Sequence, residues 1–184
     1  MVASLKKNMW FARSGYGDVQ PEIRNLRIAA SQGIFMPNAP CYLSEAGTVK
    51  RTDTSDDTDD AWHGIIVGVR DKTTTWPLTA ALAVNTIVRV QMFRPLDYYK
   101  VFVENNGTDS AIAVTDIGDQ FGMKVSATAG EVGYTTMDLN STNNVVCRVE
   151  DIMPEFEAQK HAVADNPGIA LVRILTGNIE ATKA

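Results

Sequence analysis

Short apolar segments rich in Val, Ile, Thr and aromatic residues recur from Gly33 onward between Gly, Asn, Asp and Pro punctuation. That pattern predicts strands. The first segments fall near residues 33–36, 41–44, 47–52 and 62–69, with Glu45-Ala46-Gly47 as a tight turn in which Gly47 is free to take positive φ. In 86–93, Val88, Val90 and Met92 alternate with Arg89 and Gln91, and in 98–104, Tyr99, Val101 and Val103 alternate with Lys100, Phe102 and Glu104. Both runs predict half-buried strands, joined through Arg94-Pro95-Leu96-Asp97. Further strands are expected at 111–114, 122–127, 132–137 and 145–150, with a polar turn at Asn105 to Thr108 and connections at Ala129-Gly130 and Asn140 to Asn144. The run 169–175 is apolar on nearly both sides, as expected of a central or interface strand. Pro154 to Pro167 reads equally as a short helix carrying Phe156, Lys160 and Val163 or as an ordered loop.

Roughly ten short strands at roughly ten-residue spacing predict an all-β chain, a mainly antiparallel barrel or sandwich with at most one or two short helices. The N-terminal residues differ. Met1 to Val19 combine Lys6-Lys7, Trp10, Phe11 and the flexible run Ser14 to Asp18, with a period of neither two nor 3.6. They predict an extended arm or a loosely attached edge. Pro21 and Glu22 then open a predicted short helix with Ile23, Leu26 and Ala30 on one face, closing at Gly33. The expected division is an arm with its helix over 1–32 and a β-rich domain over 33–184.

The length of 184 residues predicts one domain, and 45% hydrophobic with 21% charged residues suffices for an ordinary core burying roughly 70% of the extended surface. No apolar run approaches the roughly 18–20 residues of a spanning helix, and Lys6, Lys7 and Asn8 interrupt any signal-peptide core. The expectation is a protein made and used without crossing a membrane. Seventeen Lys+Arg against 22 Asp+Glu give a net charge of −5, and no basic run exceeds two residues. Bulk nucleic-acid binding is therefore disfavoured, because its affinity comes from neutralising phosphates. Cys41 and Cys147, the only two cysteines, have no zinc-site spacing and read as reduced core thiols.

Candidate chemistry is sparse. Asp53, Asp56, Asp57, Asp59 and Asp60 crowd one short stretch, and clustered carboxylates can take a hard cation such as calcium. The spacing departs from the standard calcium loop, since counting from Asp53 puts Thr58 where glycine is needed and Gly64 where the bidentate acid belongs. A solvated, self-repelling loop fits better. His63 and His161 are isolated, whereas a metal site needs three or four convergent ligands and a nucleophile needs a base. No nucleophile-elbow, HExxH or phosphate-cradling motif is present. The sequons at Asn106 and Asn140 read as turns. Trp62 and Trp76 read as core, whereas Met9, Trp10 and Phe11, in an arm with no local core, are the candidate partner contacts.

Two stretches resemble head decoration (capsid cement) proteins of tailed bacteriophages and related phage structural proteins. One is GIFMPNAPCYLSEAGTVKRTDTSDDTDDAWHGIIVGV, from Gly33 to Val69, and the other is DQFGMKVSATAGEVGYTTMDLNSTNNVVCRVEDI, from Asp119 to Ile152. The closing NPGIALVRIL is similar to that group's final strand. The resemblance covers about half of the chain and rests on strand and turn patterns. It implies a virion protein on the outer capsid surface, made in the host cytoplasm, that clamps neighbouring major capsid subunits, self-associates as a trimer and is no enzyme. No cofactor, metal, membrane or direct nucleic-acid contact is expected. The competing readings are another virion subunit (tail tube, connector or fibre base) and a small-ligand-binding or enzymatic β-barrel.

Overall fold

The turn Arg94-Pro95-Leu96-Asp97 is the corner about which the chain folds. It closes with an Asp97 N–H to Arg94 carbonyl bond of 3.1 Å and carries the chain from one sheet into another. The computed structural model describes residues 9–29, 38–44, 46–52, 62–70, 82–125, 135–142, 145–152 and 168–176. Among these the protein is almost entirely β, as the punctuated apolar pattern predicts. The strands are β1 (Trp10–Ser14), β2 (Ile23–Arg27), β3 (Ala39–Leu43), β4 (Val49–Arg51), β5 (Gly64–Val69) and β6 (Ile87–Met92) before the corner. After it come β7 (Asp97–Asn105), β8 (Thr108–Asp109), β9 (Gln120–Val125), β10 (Thr135–Asp138), β11 (Cys147–Ile152) and β12 (Ile169–Ile174).

The first sheet closes on itself in the order β7-β10-β9-β11-β12, with β12 pairing back onto β7. Closure leaves both sides of β7 occupied: β12 runs along one side, while β1 and then the parallel β10 share the other. Its alternating residues Tyr99, Val101 and Val103 enter the barrel core with Met137, Cys147, Val149, Ala170, Val172 and Ile174. Glu150 is bulged out of register with β12, and such an extra residue bends the strand as closure requires. The second sheet runs β2-β6-β5-β3-β4, and its two end strands meet at a parallel bridge between Ile28 and Val49. Around its own core it gathers Ile28, Ala39, Cys41, Val49, Ile66, Val88, Val90 and Met92. Trp62, Ile65 and Phe93 come from this second sheet or its borders yet pack into the barrel core, so the two layers share apolar contact. Gly64 lets β5 lie close to β6 within the second sheet, because a Cβ there would collide with the Gln91 backbone.

Two elements correct the sequence expectation. The residues expected to form a helix after Pro21 form β2, paired antiparallel with β6 from Ile23 opposite Gln91 to Arg27 opposite Ile87. Leu26 and Ile28 alternate inward toward the second core while Ile23, Asn25 and Arg27 face out. That period of two, backed by a ladder, prevails over the i, i+3, i+7 set. The expected strand at 111–114 is instead coil entering a single 3-10 turn, Val114–Asp116, because Asp116 Oδ2 accepts the Ala113 N–H at 2.7 Å and folds the backbone back locally. The segment 33–36 and the helix-or-loop segment 154–167 lie outside the described residues. Residues 9–29, expected as arm and helix, supply strands to both sheets.

Candidate interaction surface

Met9 is fully buried in the barrel core, and from there the chain is pinned outward residue by residue. Trp10 lies half-buried against Phe102 with ring centroids 5.5 Å apart, and Phe11 meets Tyr99 edge-on at 5.9 Å. Arg13 stacks over Tyr98 at 4.9 Å from the ring centre. The Gly15 N–H then donates to the Leu96 carbonyl at 2.6 Å, and only glycine permits this approach, since a Cβ would sit 2.6 Å from the same oxygen. Of the three candidate contacts, Met9 is thus a core residue, while Trp10 and Phe11 present only part of their surfaces.

Beneath this segment lies a charged clamp. Asp97, with no solvent exposure, receives Arg94 Nε at 2.7 Å and Arg94 Nη2 at 2.9 Å. The same Nη2 reaches Ser14 Oγ at 3.4 Å, and the guanidinium lies 5.3 Å from the Tyr16 ring centre. The hydrogen bond to Asp97 raises the Arg94 pKa further. Burial, and secondarily the Asp97 charge, pushes the Tyr99 hydroxyl well above its ordinary value. That hydroxyl lies near the Gln91 amide, but neither Tyr99 Oη nor Gln91 Nε2 completes a well-formed hydrogen bond.

What the clamp holds up is apolar. Tyr16, Val19, Ile23 and Leu96 are between 38% and 49% exposed; the first three follow one another along the segment that passes from the barrel to the edge strand β2, and Leu96 stands in the corner turn bonded to Gly15. The Arg94–Asp97 pair steadies Tyr16 and the turn carrying Leu96, and the β2–β6 ladder holds Ile23; apolar side chains ordered in this way suit a binding surface, because little ordering entropy remains to be lost on docking. The sequence singled out the residues at the start of this segment. The available signal was Tyr16 and Val19 standing among Gly, Asp and Gln, and Leu96 standing inside a turn.

The other candidate residues are dispersed. The His63 Nδ1 accepts the Leu43 N–H at 3.2 Å, and partial burial lowers the pKa of the ring. It is thereby fixed as a neutral strut between β3 and β5. Cys41 and Cys147 are free and sit in different cores, their Sγ atoms each 3.5 Å from a backbone carbonyl, of Gly64 and Phe121. Burial pushes the Cys147 thiol up to about 12 and that of Cys41 higher still. Trp62 is core. The sequons lie in turns: Asn106-Gly107 is the two-residue loop of the β7–β8 hairpin, with both residues at positive φ, and the Asn140 N–H caps onto Asp138 Oδ1 at 3.0 Å. Asp53 to Asp60, Trp76 and His161 lie outside the described residues. Among the described residues no group of three or more His, Cys, Asp or Glu side chains is placed to hold a metal ion. No protein-family model matches the chain, and a search of curated proteins finds no match to it.

Proposed function

We propose that the protein is a virion structural subunit, a decoration protein that attaches to the outside of a phage head and reinforces contacts between major capsid subunits. One observation carries the reading: Tyr16, Val19 and Ile23 on the segment between β1 and β2, and Leu96 in the corner turn bonded to it, are exposed and apolar, with Tyr16 and the turn anchored by the Arg94–Asp97 pair. The resemblance of Gly33 to Val69 and Asp119 to Ile152 to phage decoration proteins points the same way. Mechanistically the work is burial of surface and not bond-making. Completing the burial of four half-exposed side chains is worth roughly 1 kcal/mol each. A total of about 4 kcal/mol corresponds by itself to only millimolar affinity. Useful attachment therefore relies on several copies acting together, which agrees with a self-associating, trimeric protein whose linked contacts multiply.

The test is cosedimentation with phage heads lacking the protein, comparing wild type with the Tyr16→Ser/Val19→Ser/Leu96→Ser variant. The expected result is saturable attachment of the wild type and at least a tenfold loss in the variant, for about 1.4 kcal/mol or more. Equal attachment of both would reject this surface. A wild type that ignores heads but builds tubes or rings would instead place it in the tail or connector.

A further inference from the structure

Outside the arm, two exposed surfaces on opposite layers of the fold are complementary in charge and both carry apolar side chains. On the second sheet, Arg89 stands opposite Gly68 on one side and Asn25 on the other, and one step along the ladder Ile87 is flanked by Arg27 and by Arg70, whose N–H donates to the Ile87 carbonyl. The register puts Arg27, Arg70 and Arg89 on one face, all exposed, and among the described residues none of them makes an ion pair. Val84, 56% exposed, enters β6 at this same end, where the Asn85 N–H bonds the Ile28 carbonyl. On the barrel, the 3-10 turn and the residues after it project Val114 at 63% and Ile117 at 40% exposure beside the exposed Asp119. Arg148, beside Gly118, lies 4.0 Å from Glu150, which also holds Arg173 at 2.8 Å, and among the described residues Asp119 makes no ion pair.

We infer that the arginine face of the second sheet docks on the Val114–Asp119 protrusion of a second copy of this chain. The inference rests on the self-association within the proposed function and assigns the surfaces that make it. A chain of net charge −5 repels its own copies, and three unpaired arginines on one face are where a second acidic copy is instead attracted. Nucleic acid is the weaker fit, because three arginines neutralise about three phosphates against an overall negative field. The two surfaces differ, so the contact is head-to-tail and closes into a ring or runs on as a chain of copies.

Light scattering of the free protein tests this without any capsid, so its failure leaves attachment to heads to be judged separately. At high micromolar concentration and low salt, wild type reaches about twice the single-chain mass or more. At about 1 M salt, where the screening length is about 3 Å, it falls back toward one chain. Arg27→Glu/Arg89→Glu alone and Asp119→Arg alone each stay at single-chain mass. Mixed, they recover assembly, because one contact of the pair is then wild type and the other has its charges exchanged; this recovery also proves both variants folded. Should a reversal unfold its chain, Arg27→Gln/Arg89→Gln and Asp119→Asn weaken assembly in the same assay. Single-chain mass for wild type at all concentrations, reversal variants that assemble like wild type, folded variants that fail to complement, or a single-chain wild type that retains an oligonucleotide would each overturn the inference.

Discussion

At Asp97 a carboxylate with no access to solvent is held by two nitrogens of Arg94, and the pair joins the corner turn to Ser14 and Tyr16. Removing one partner of such a pair strands the other, which is worse than never having buried it. Arg94→Ala, which leaves the Asp97 carboxylate buried, is expected to lower stability by about 3 kcal/mol, read as a shift of the urea midpoint, and to loosen Tyr16 so that its amide exchanges faster. An unchanged midpoint would mean that Asp97 finds water at no cost. His63 gives a pH dependence of defined sign. Its folded pKa lies below the ordinary 6.5, so the unfolded chain binds the proton more readily. The stability it contributes is complete above pH 6.5 and is lost as pH falls below that value through the folded pKa. Urea titrations of wild type and His63→Gln at pH 7.5 and 5.5 check this: wild type should lose more stability on acidification than the variant, and parallel losses would remove His63 as the cause.

The elements were legible in the sequence wherever a period of two met clear punctuation. Val88, Val90 and Met92 did locate β6, and Tyr99, Val101 and Val103 located β7, because each row faces one core and the other row does not. Asn106-Gly107 was readable for its own reason, since both residues take positive φ, at 51° and 82°, and Asn-Gly tolerates it. Gly107→Ala should therefore cost about 1 kcal/mol in a thermal melt, with the β7–β8 hairpin still formed. No loss at all would show that the turn relaxes away from this geometry. β2 escaped notice because only Leu26 and Ile28 of its side chains turn to a core, too few to outweigh a helical spacing. The stretch 111–114 looked like a strand because Ala, Ile and Val suit one; the Asp116 side chain, three residues beyond Ala113, decides for a turn. The candidate surface was legible only in part. Sequence pointed to the aromatic arm, but burial of Met9 depends on a barrel core assembled from residues some 50 to 165 positions later, which no local pattern encodes.

On the scale of the whole molecule, two small cores are joined through Trp62, Ile65 and Phe93, and each holds one thiol. Both cysteines should resist a thiol reagent at pH 8 until the protein is denatured and then react together, since one joined core unfolds as a unit. Reaction of Cys41 well before Cys147 would show that the second sheet opens by itself. Among the described residues two sets of exposed side chains stand out, the apolar Tyr16, Val19, Ile23 and Leu96, and the complementary arginine and Asp119 surfaces. The central claim is that the exposed apolar side chains Tyr16, Val19, Ile23 and Leu96 bind a capsid. Cosedimentation of the purified wild type with phage heads lacking it, titrated to saturation and quantified per capsid subunit, tests that claim most directly. Saturation at a ratio matching the symmetry axes of the shell is the predicted result; absence of attachment at micromolar protein would contradict it.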